Sequence, residues 1–277
     1  MLRVIPASPN EPKDQGRNDM TNMGKPQRWR GTHPSMNDKR NAAGNRLNHP
    51  KQKAKMLPDS NSNRPVKKEA TKKVLKYDTE EDVAVALAKY TADLSEKYIK
   101  EKGSFSVVLS GGTLIDTLRK LVEHPYKSSV DWSKWLIFWV DERVVPLDDK
   151  DSNYLLAVQG FLSKVPIPSS NIYAINDQKS PEGAADDYEE RLKRLRHEKK
   201  RWVTFITDSP KPPPPRITFT FPVINSASDI AMVITGAELA DTVKLVLGTA
   251  NCDLPAGAVC AEGELTWFLD KDAASKL

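Results

Sequence analysis

Two short stretches carry the residue types that chemistry needs. Ser110, Gly111, Gly112 and Thr113 follow an apolar run at residues 104–109 and precede Leu114, Ile115, Leu118, Leu121 and Val122 in helical spacing. A strand feeding Ser-Gly-Gly-Thr and then a helix is the layout of an anion cradle. The glycines let the backbone approach a phosphate, the N–H groups point at it, and the helix dipole favours negative charge. The same four residues also suffice for an ordinary tight turn, so their meaning depends on a second loop that supplies a cation.

Residues 135–154, WLIFWVDERVVPLDDKDSNY, provide that loop. Residues 136–140 are an unbroken apolar run, too short for a helix with a polar face, and read as a strand covered on both sides. Asp141, Glu142 and Arg143 follow directly, Pro146 forbids a helix, and Asp148, Asp149, Asp151, Ser152 and Asn153 make a polar loop. Open α/β sheets bind ligands at the carboxyl ends of their strands, which places this triplet for chemistry or anion binding. The plainer reading is a capped strand end with a surface ion pair. Arg143 can serve a phosphate at residues 110–113 if the two strands are neighbours.

The elements that must position these residues begin near Val74. Asp78 with Glu81 three residues on suggests a capping box, and Val83, Leu87, Tyr90, Leu94 and Tyr98 give a helical apolar face that Gly103 ends. After the acidic loop a short helix is expected over 153–162 and an extended piece over 171–175. Pro181 then opens a charged helix running to about Lys200. Residues 202–207 and 216–221 have strand composition around a run of four prolines, and residues 230–235 read as a third buried strand followed by a return helix over 237–247. Residues 255–260 and 264–269 are expected to close the chain as a short β-like pair. The fold class is α/β: a Rossmann-like, mainly parallel sheet flanked by helices, with a disordered basic N-terminal tail.

Charge divides the chain. Residues 1–73 hold 17 Lys and Arg against 6 Asp and Glu, and residues 74–277 hold 25 against 31, so the basic balance belongs to the tail. Rich in Asn, Lys, Arg and Pro, the tail cannot bury enough surface to offset its ordering entropy. It reads as a solvated leader rather than a nucleic-acid-binding arm, because Trp29 alone interrupts it with an aromatic ring. Glu11, Asp14, Asp19 and Asp38 and the scarcity of Ser weaken the case for a plastid or mitochondrial transit peptide, so a cytoplasmic location is expected, with a plastid as the alternative. Cys252 and Cys260 have no metal-type spacing, which fits a reducing compartment. No apolar run approaches a membrane span.

Together these pieces resemble the 6-phosphogluconolactonases, related to the glucosamine-6-phosphate isomerases, and most of all their plant versions. The resemblance is carried by LSGGT at 109–113, WVDERVVP at 139–146, DSNY at 151–154, TDSPKPPPPRIT at 207–218, FPVINSAS at 221–228, ITG at 234–236 and EGELTWFLDKDAAS at 262–275. It implies hydrolysis of 6-phosphoglucono-δ-lactone to 6-phosphogluconate without metal or organic cofactor; separately, a monomer is expected. Ser110, Gly111, Gly112 and Thr113 would hold the substrate phosphate and Arg143 would neutralise it with forked donors. Arg216 would assist or brace the proline-rich turn, and Asp141 and Glu142 would orient sugar hydroxyls or the arginine.

The resemblance also sets out three departures. The family's general base is a histidine in a GxGxDGHxASLFP loop, and this chain passes from Leu195 straight through Arg196, His197, Glu198, Lys199, Lys200 and Arg201 to Trp202, as if that loop and the strand before it were deleted. None of His33, His49, His124 and His197 lies in a matching motif. The phosphate-binding lysine expected three residues after Gly236 is Leu239, with Lys244 as a distant substitute, and Leu114 and Ile115 replace a usual Thr-Pro. The catalytic residue is therefore unassigned, and a second expectation stands beside the enzyme: an inactive sugar-phosphate-binding paralogue or splice product.

Overall fold

The computed structural model of the chain describes residues 2–5, 71–194, 201–248, 252 and 254–277. They fall within one compact unit, Met1–Glu11 with Lys67–Leu277; the second unit, Pro12–Val66, lies outside the described residues and holds most of the basic tail.

In chain order the elements are β1 (Leu2–Ile5), β2 (Thr71–Tyr77), α1 (Glu80–Lys102), β3 (Phe105–Leu109), α2 (Thr113–Thr117) with a 3-10 continuation at Leu118–Val122, and α3 (Tyr126–Ser129). A 3-10 turn at Trp132–Lys134 leads into β4 (Trp135–Trp139), β5 (Asp141–Arg143), α4 (Asn153–Gly160) and α5 (Pro181–Arg194). The rest is β6 (Val203–Ile206), β7 (Arg216–Phe219), α6 (Phe221–Asn225), β8 (Asp229–Ile234), a 3-10 turn at Ala237–Leu239 running into α7 (Ala240–Gly248), and β9 (Glu264–Asp270).

The main sheet has the order β2-β9-β8-β1-β3-β4, and a small sheet the order β5-β7-β6. In the main sheet β2 with β9, β9 with β8, and β3 with β4 are parallel, while β1 runs antiparallel to both β3 and β8. The short apolar runs behave as expected of strands covered on both faces: every residue of β3 is buried. One core layer gathers Leu87, Phe105, Leu109, Trp135, Trp139 and Phe161 under α1 and α4. The other gathers Val108, Phe138, Tyr188, Ile217, Ile230 and Trp267 under α5 and α7. Each of these side chains contributes roughly 1.5–3 kcal/mol of burial energy against the chain's ordering entropy.

Polar groups inside the core fix which element meets which. On α1, Ser95 accepts from the Trp135 indole at 2.8 Å, and the Tyr98 hydroxyl donates to Asp229 at 2.5 Å. On α5, the Tyr188 hydroxyl accepts the Trp139 N–H at 2.8 Å, a donor that edge strand β4 would otherwise leave unpaired. Glu189 closes α5 onto β6 by accepting the N–H groups of Trp202 and Val203 at 2.8 and 2.9 Å.

Several expectations are corrected. The tail is not without structure to residue 73: Leu2–Ile5 and Thr71–Tyr77 are sheet strands, because each finds unpaired ladder groups on neighbouring strands. The capping box is Thr79 with Asp82, one residue later than expected, since the Thr79 hydroxyl can both accept the Asp82 N–H and donate to its carboxylate. Residues 255–258 form a 3-10 turn rather than a strand, and β9 inserts between β2 and β8 instead of pairing locally. Residues 265–270 are all buried, which only a strand flanked on both edges satisfies. The extended piece at 171–175 is reduced to one bridge, Ile172 to Ile137. Helix α5 is described to Arg194; residues 195–200 lie outside the described set.

Candidate active site

The two stretches with chemical potential leave the same end of the sheet side by side. Leu109 and Trp139 are register partners at the carboxyl ends of parallel neighbours β3 and β4, and the Val140 N–H continues the ladder to the Leu109 carbonyl at 2.9 Å. Beyond that point β3 opens into Ser110, Gly111, Gly112 and Thr113. Gly112 sits at φ 67° and ψ −146°, a conformation that residues with a Cβ adopt only under strain. The helix after it is a single five-residue turn, so dipole support is small and the cradle's donors are its own N–H groups.

Gly111 is needed for a different reason. A Cβ there would lie 1.8 Å from Asn153 Oδ1. Asn153, 1% exposed, donates from Nδ2 to the Asp141 carbonyl at 3.1 Å, and its Oδ1 has no hydrogen-bond partner. One buried amide therefore spans the cradle and the Asp-Glu-Arg segment. Replacing Gly111 by alanine is expected to cost about 1–3 kcal/mol by overpacking, and Asn153→Ala in the same chain should return part of it. A double-mutant cycle followed by denaturant unfolding reads the coupling; strict additivity would show that the two residues do not share this contact.

The Asp-Glu-Arg triplet is itself a short strand, β5, paired antiparallel with β7. Its three side chains have separate tasks. Glu142, 2% exposed, accepts the backbone N–H groups of Arg143 (2.7 Å) and Asn153 (2.8 Å) on Oε1, and those of Tyr154 (2.7 Å) and the Ser152 hydroxyl (3.4 Å) on Oε2. Burial pushes its carboxyl above the ordinary glutamate range, and the backbone donors pull it back. Both oxygens are thus committed to fastening the start of α4, whose N-cap is Ser152. Glu142 is expected to orient sugar hydroxyls or the arginine; the hydrogen bonds it makes go to the backbone of Arg143, Asn153 and Tyr154 and to the Ser152 hydroxyl.

Asp141 is half-buried. Burial raises its carboxyl, opposed by the positive charges of Arg143 and Arg216. Arg143 donates from Nη1 to the Asp151 carbonyl at 2.6 Å, which aims the guanidinium, while its buried Nε has no hydrogen-bond partner. Arg216 is its register partner on β7, and like charges directly opposite on a ladder repel. The Arg216 donors go to the carbonyls of Lys211 (2.8 Å), Pro212 (3.4 Å) and Pro213 (3.2 Å), so of its two expected tasks bracing the proline-rich turn is the one its hydrogen bonds describe.

On the other side of Thr113 lies a cavity of about 510 Å³, bounded by the first turn of α1, by Thr235 and Gly236 after β8, and by the end of β9. Asp270 holds the turn in place by accepting the Gly236 N–H with both oxygens, at 3.2 and 3.1 Å. Asp78, Glu80, Glu238, Asp270 and Asp272 line the cavity against Lys271. Thr113 of the cradle thus borders an acidic cavity, while Gly111 packs against Asn153, which is bonded to the Asp-Glu-Arg strand.

The sequence pattern described as "Glucosamine-6-phosphate isomerases/6-phosphogluconolactonase" matches residues 78–198 and 193–267. The chain belongs to this family. It is 53% identical over 247 residues to a rice (Oryza sativa subsp. indica) protein named "Probable 6-phosphogluconolactonase 4, chloroplastic", covering 74% of this chain and 76% of that one. It is 50% identical over 249 residues to "6-phosphogluconolactonase 3, chloroplastic" of Arabidopsis thaliana, covering 76% and 77%. The fold matches the crystal structure of 6-phosphogluconolactonase from Thermotoga maritima with a TM-score of 0.65 at 24% identity, over 73% of this chain and all of that one.

Within the family the match to this chain falls in two spans, which overlap at residues 193–198. The rice alignment takes in 74% of 277 residues, about 205, which leaves about 42 of its 247 positions without a counterpart here. His197 falls at this junction, outside the described residues, as do His33 and His49; His124 is exposed in the segment between Val122 and α3. Lys244 is exposed on α7 and does not line the cavity, and Leu239 is 40% exposed. The sequence alone places Asn153 in a polar loop and Asp270 in a closing motif without giving either a role at the site. For Asn153 the signal was available in DSNY, a short polar group inside a motif that must touch a glycine loop.

Proposed function

We propose that the chain binds 6-phosphoglucono-δ-lactone by its phosphate and hydrolyses it to 6-phosphogluconate. The observation that carries this reading is Arg143: buried at Nε without a partner, opposed by a second guanidinium in register, and tied through β5 and Asn153 to the glycine cradle. An anion relieves the repulsion and takes the open donor. The phosphate lies against the N–H groups of residues 110–113 on the arginine side, because the cavity beyond Thr113 is lined by carboxylates. The sugar hydroxyls face those carboxylates, which accept from them.

In the reaction water adds to the lactone carbonyl and the ring oxygen leaves with a proton, giving the open acid. Asp141, beside the arginine pair, stands on the phosphate side, and the group that activates the attacking water is unassigned among the described residues. A well-placed general base contributes roughly 10²–10⁴-fold. With the family's histidine loop missing from the sequence, turnover falls by that order relative to chains that carry it. The test is to add fresh lactone to the purified chain and follow acid release in a pH-stat. A saturable rate above the buffer blank supports turnover; a rate equal to the blank at every protein concentration leaves the second reading, a sugar-phosphate binder without catalysis.

We place the protein as a monomer in the cytoplasm, a reducing compartment in keeping with its free Cys252 and Cys260. Import of a fluorescent fusion into plastids would replace that location. No nucleic acid or membrane enters this reading, and among the described residues no helix is long and apolar enough to cross a bilayer.

A further inference from the structure

One strand of the main sheet runs against all the others. β1 lies between β3 and β8, with Leu2 opposite Leu109 and Ala231, Arg3 opposite Val108 and Ile230, and Val4 opposite Val107 and Asp229. In sequence, 65 residues separate Ile5 from Thr71. The slot is the centre of the molecule: Val107, Val108, Leu109 and Ile230 are fully buried and Ala231 nearly so. Without β1, β3 and β8 would stand two strand spacings apart, about 10 Å, with facing rows of backbone N–H and C=O groups that water cannot reach.

The sheet's own logic calls for a parallel strand there. A helix that follows a strand in such a sheet normally returns the chain to it as the next parallel strand. Helix α5 does not: the next strand is β6 of the small sheet, with the junction clamped by Glu189 to Trp202 and Val203. This junction is also where the two spans matched by the family pattern overlap, at residues 193–198, and the rice alignment as a whole leaves about 42 of its 247 positions without a counterpart in this chain. A strand and its following loop fit comfortably in that length.

We infer that Leu2–Ile5 is a replacement strand, which fills from the opposite direction the central slot vacated between α5 and β6 and so makes the shortened fold self-complementing. Antiparallel pairing requires no crossover helix, so a segment arriving on a long connection can enter with this polarity. The groove between β3 and β8 is therefore a strand-binding site whose occupant is the chain's own N-terminal segment.

Hydrogen exchange on the full-length chain decides it. The backbone amides of Arg3, Val4 and Ile5 should exchange on the same timescale as those of β3, and at least ~100-fold more slowly than in a free peptide. Val4→Pro, which removes a ladder donor in the middle of the strand, should lower Tm by on the order of 10 °C. Arg3→Val should raise it, since it places an apolar residue in register with the fully buried Val108 and Ile230. Free-peptide exchange at residues 3–5 would overturn the inference whatever the variants do. So would protection that vanishes on dilution alongside a dimeric mass, because the strand would then come from a second copy.

Discussion

Replacing Glu142 by alanine is expected to lower the stability of the domain by about 3–5 kcal/mol, a drop in Tm on the order of 10 °C. The reason is local and countable. The carboxylate is the shared acceptor for three backbone N–H groups and one hydroxyl, and at 2% exposure no water replaces it. Removing it orphans donors from β5 and from the first turn of α4, frees the N-terminus of α4, and loosens Asn153 from the cradle. Glu142→Gln sharpens the test. Whichever oxygen becomes NH₂ confronts a backbone donor at 2.7 Å, so the amide should restore volume but little stability. Chemical denaturation measures both variants; a glutamine variant as stable as the parent would mean that the carboxylate is not the acceptor described.

Replacing Arg143 by alanine should give the opposite profile. Its Nε is unpartnered, and its register neighbour is another guanidinium, so truncation relieves a like-charge contact while losing the bond to the Asp151 carbonyl. Stability is expected to change by less than about 1 kcal/mol in either direction. Ligand binding is another matter: removing one partner of a buried charge-assisted contact costs about 2–5 kcal/mol, or roughly 30- to several thousand-fold in Kd for 6-phosphogluconate. Arg143→Lys should recover only part, since an ammonium cannot reproduce the fork. Equal loss of Tm and affinity would make Arg143 a structural residue rather than a binding one.

The architecture was legible because its strands are short apolar runs bounded by glycines and charges. At five residues, as in 105–109 and 135–139, such runs cannot be amphipathic helices, and the glycines and triplet that follow mark the carboxyl ends. What was not legible depended on partners far away in sequence. Glu142 and Asp141 are both acids beside an arginine, and only the fold shows that one is consumed by N–H groups of a later helix while the other faces the arginine pair. The need for Gly111 is set by Asn153, which lies 42 positions on. β9 looked like half of a local pair because nothing in residues 264–270 names β2 and β8 as its neighbours. β1 was hidden most deeply: four residues within a basic, aperiodic segment become a strand only because two buried ladders face them.

The central claim is that the cradle and Arg143 form a phosphate site on which the sugar is held. Titration calorimetry of the full-length chain with 6-phosphogluconate, and in parallel with unphosphorylated gluconate, tests it most directly. The account predicts saturable binding of the phosphorylated acid and none of gluconate over the same concentrations; equal responses to the two, or no response to either, would contradict it.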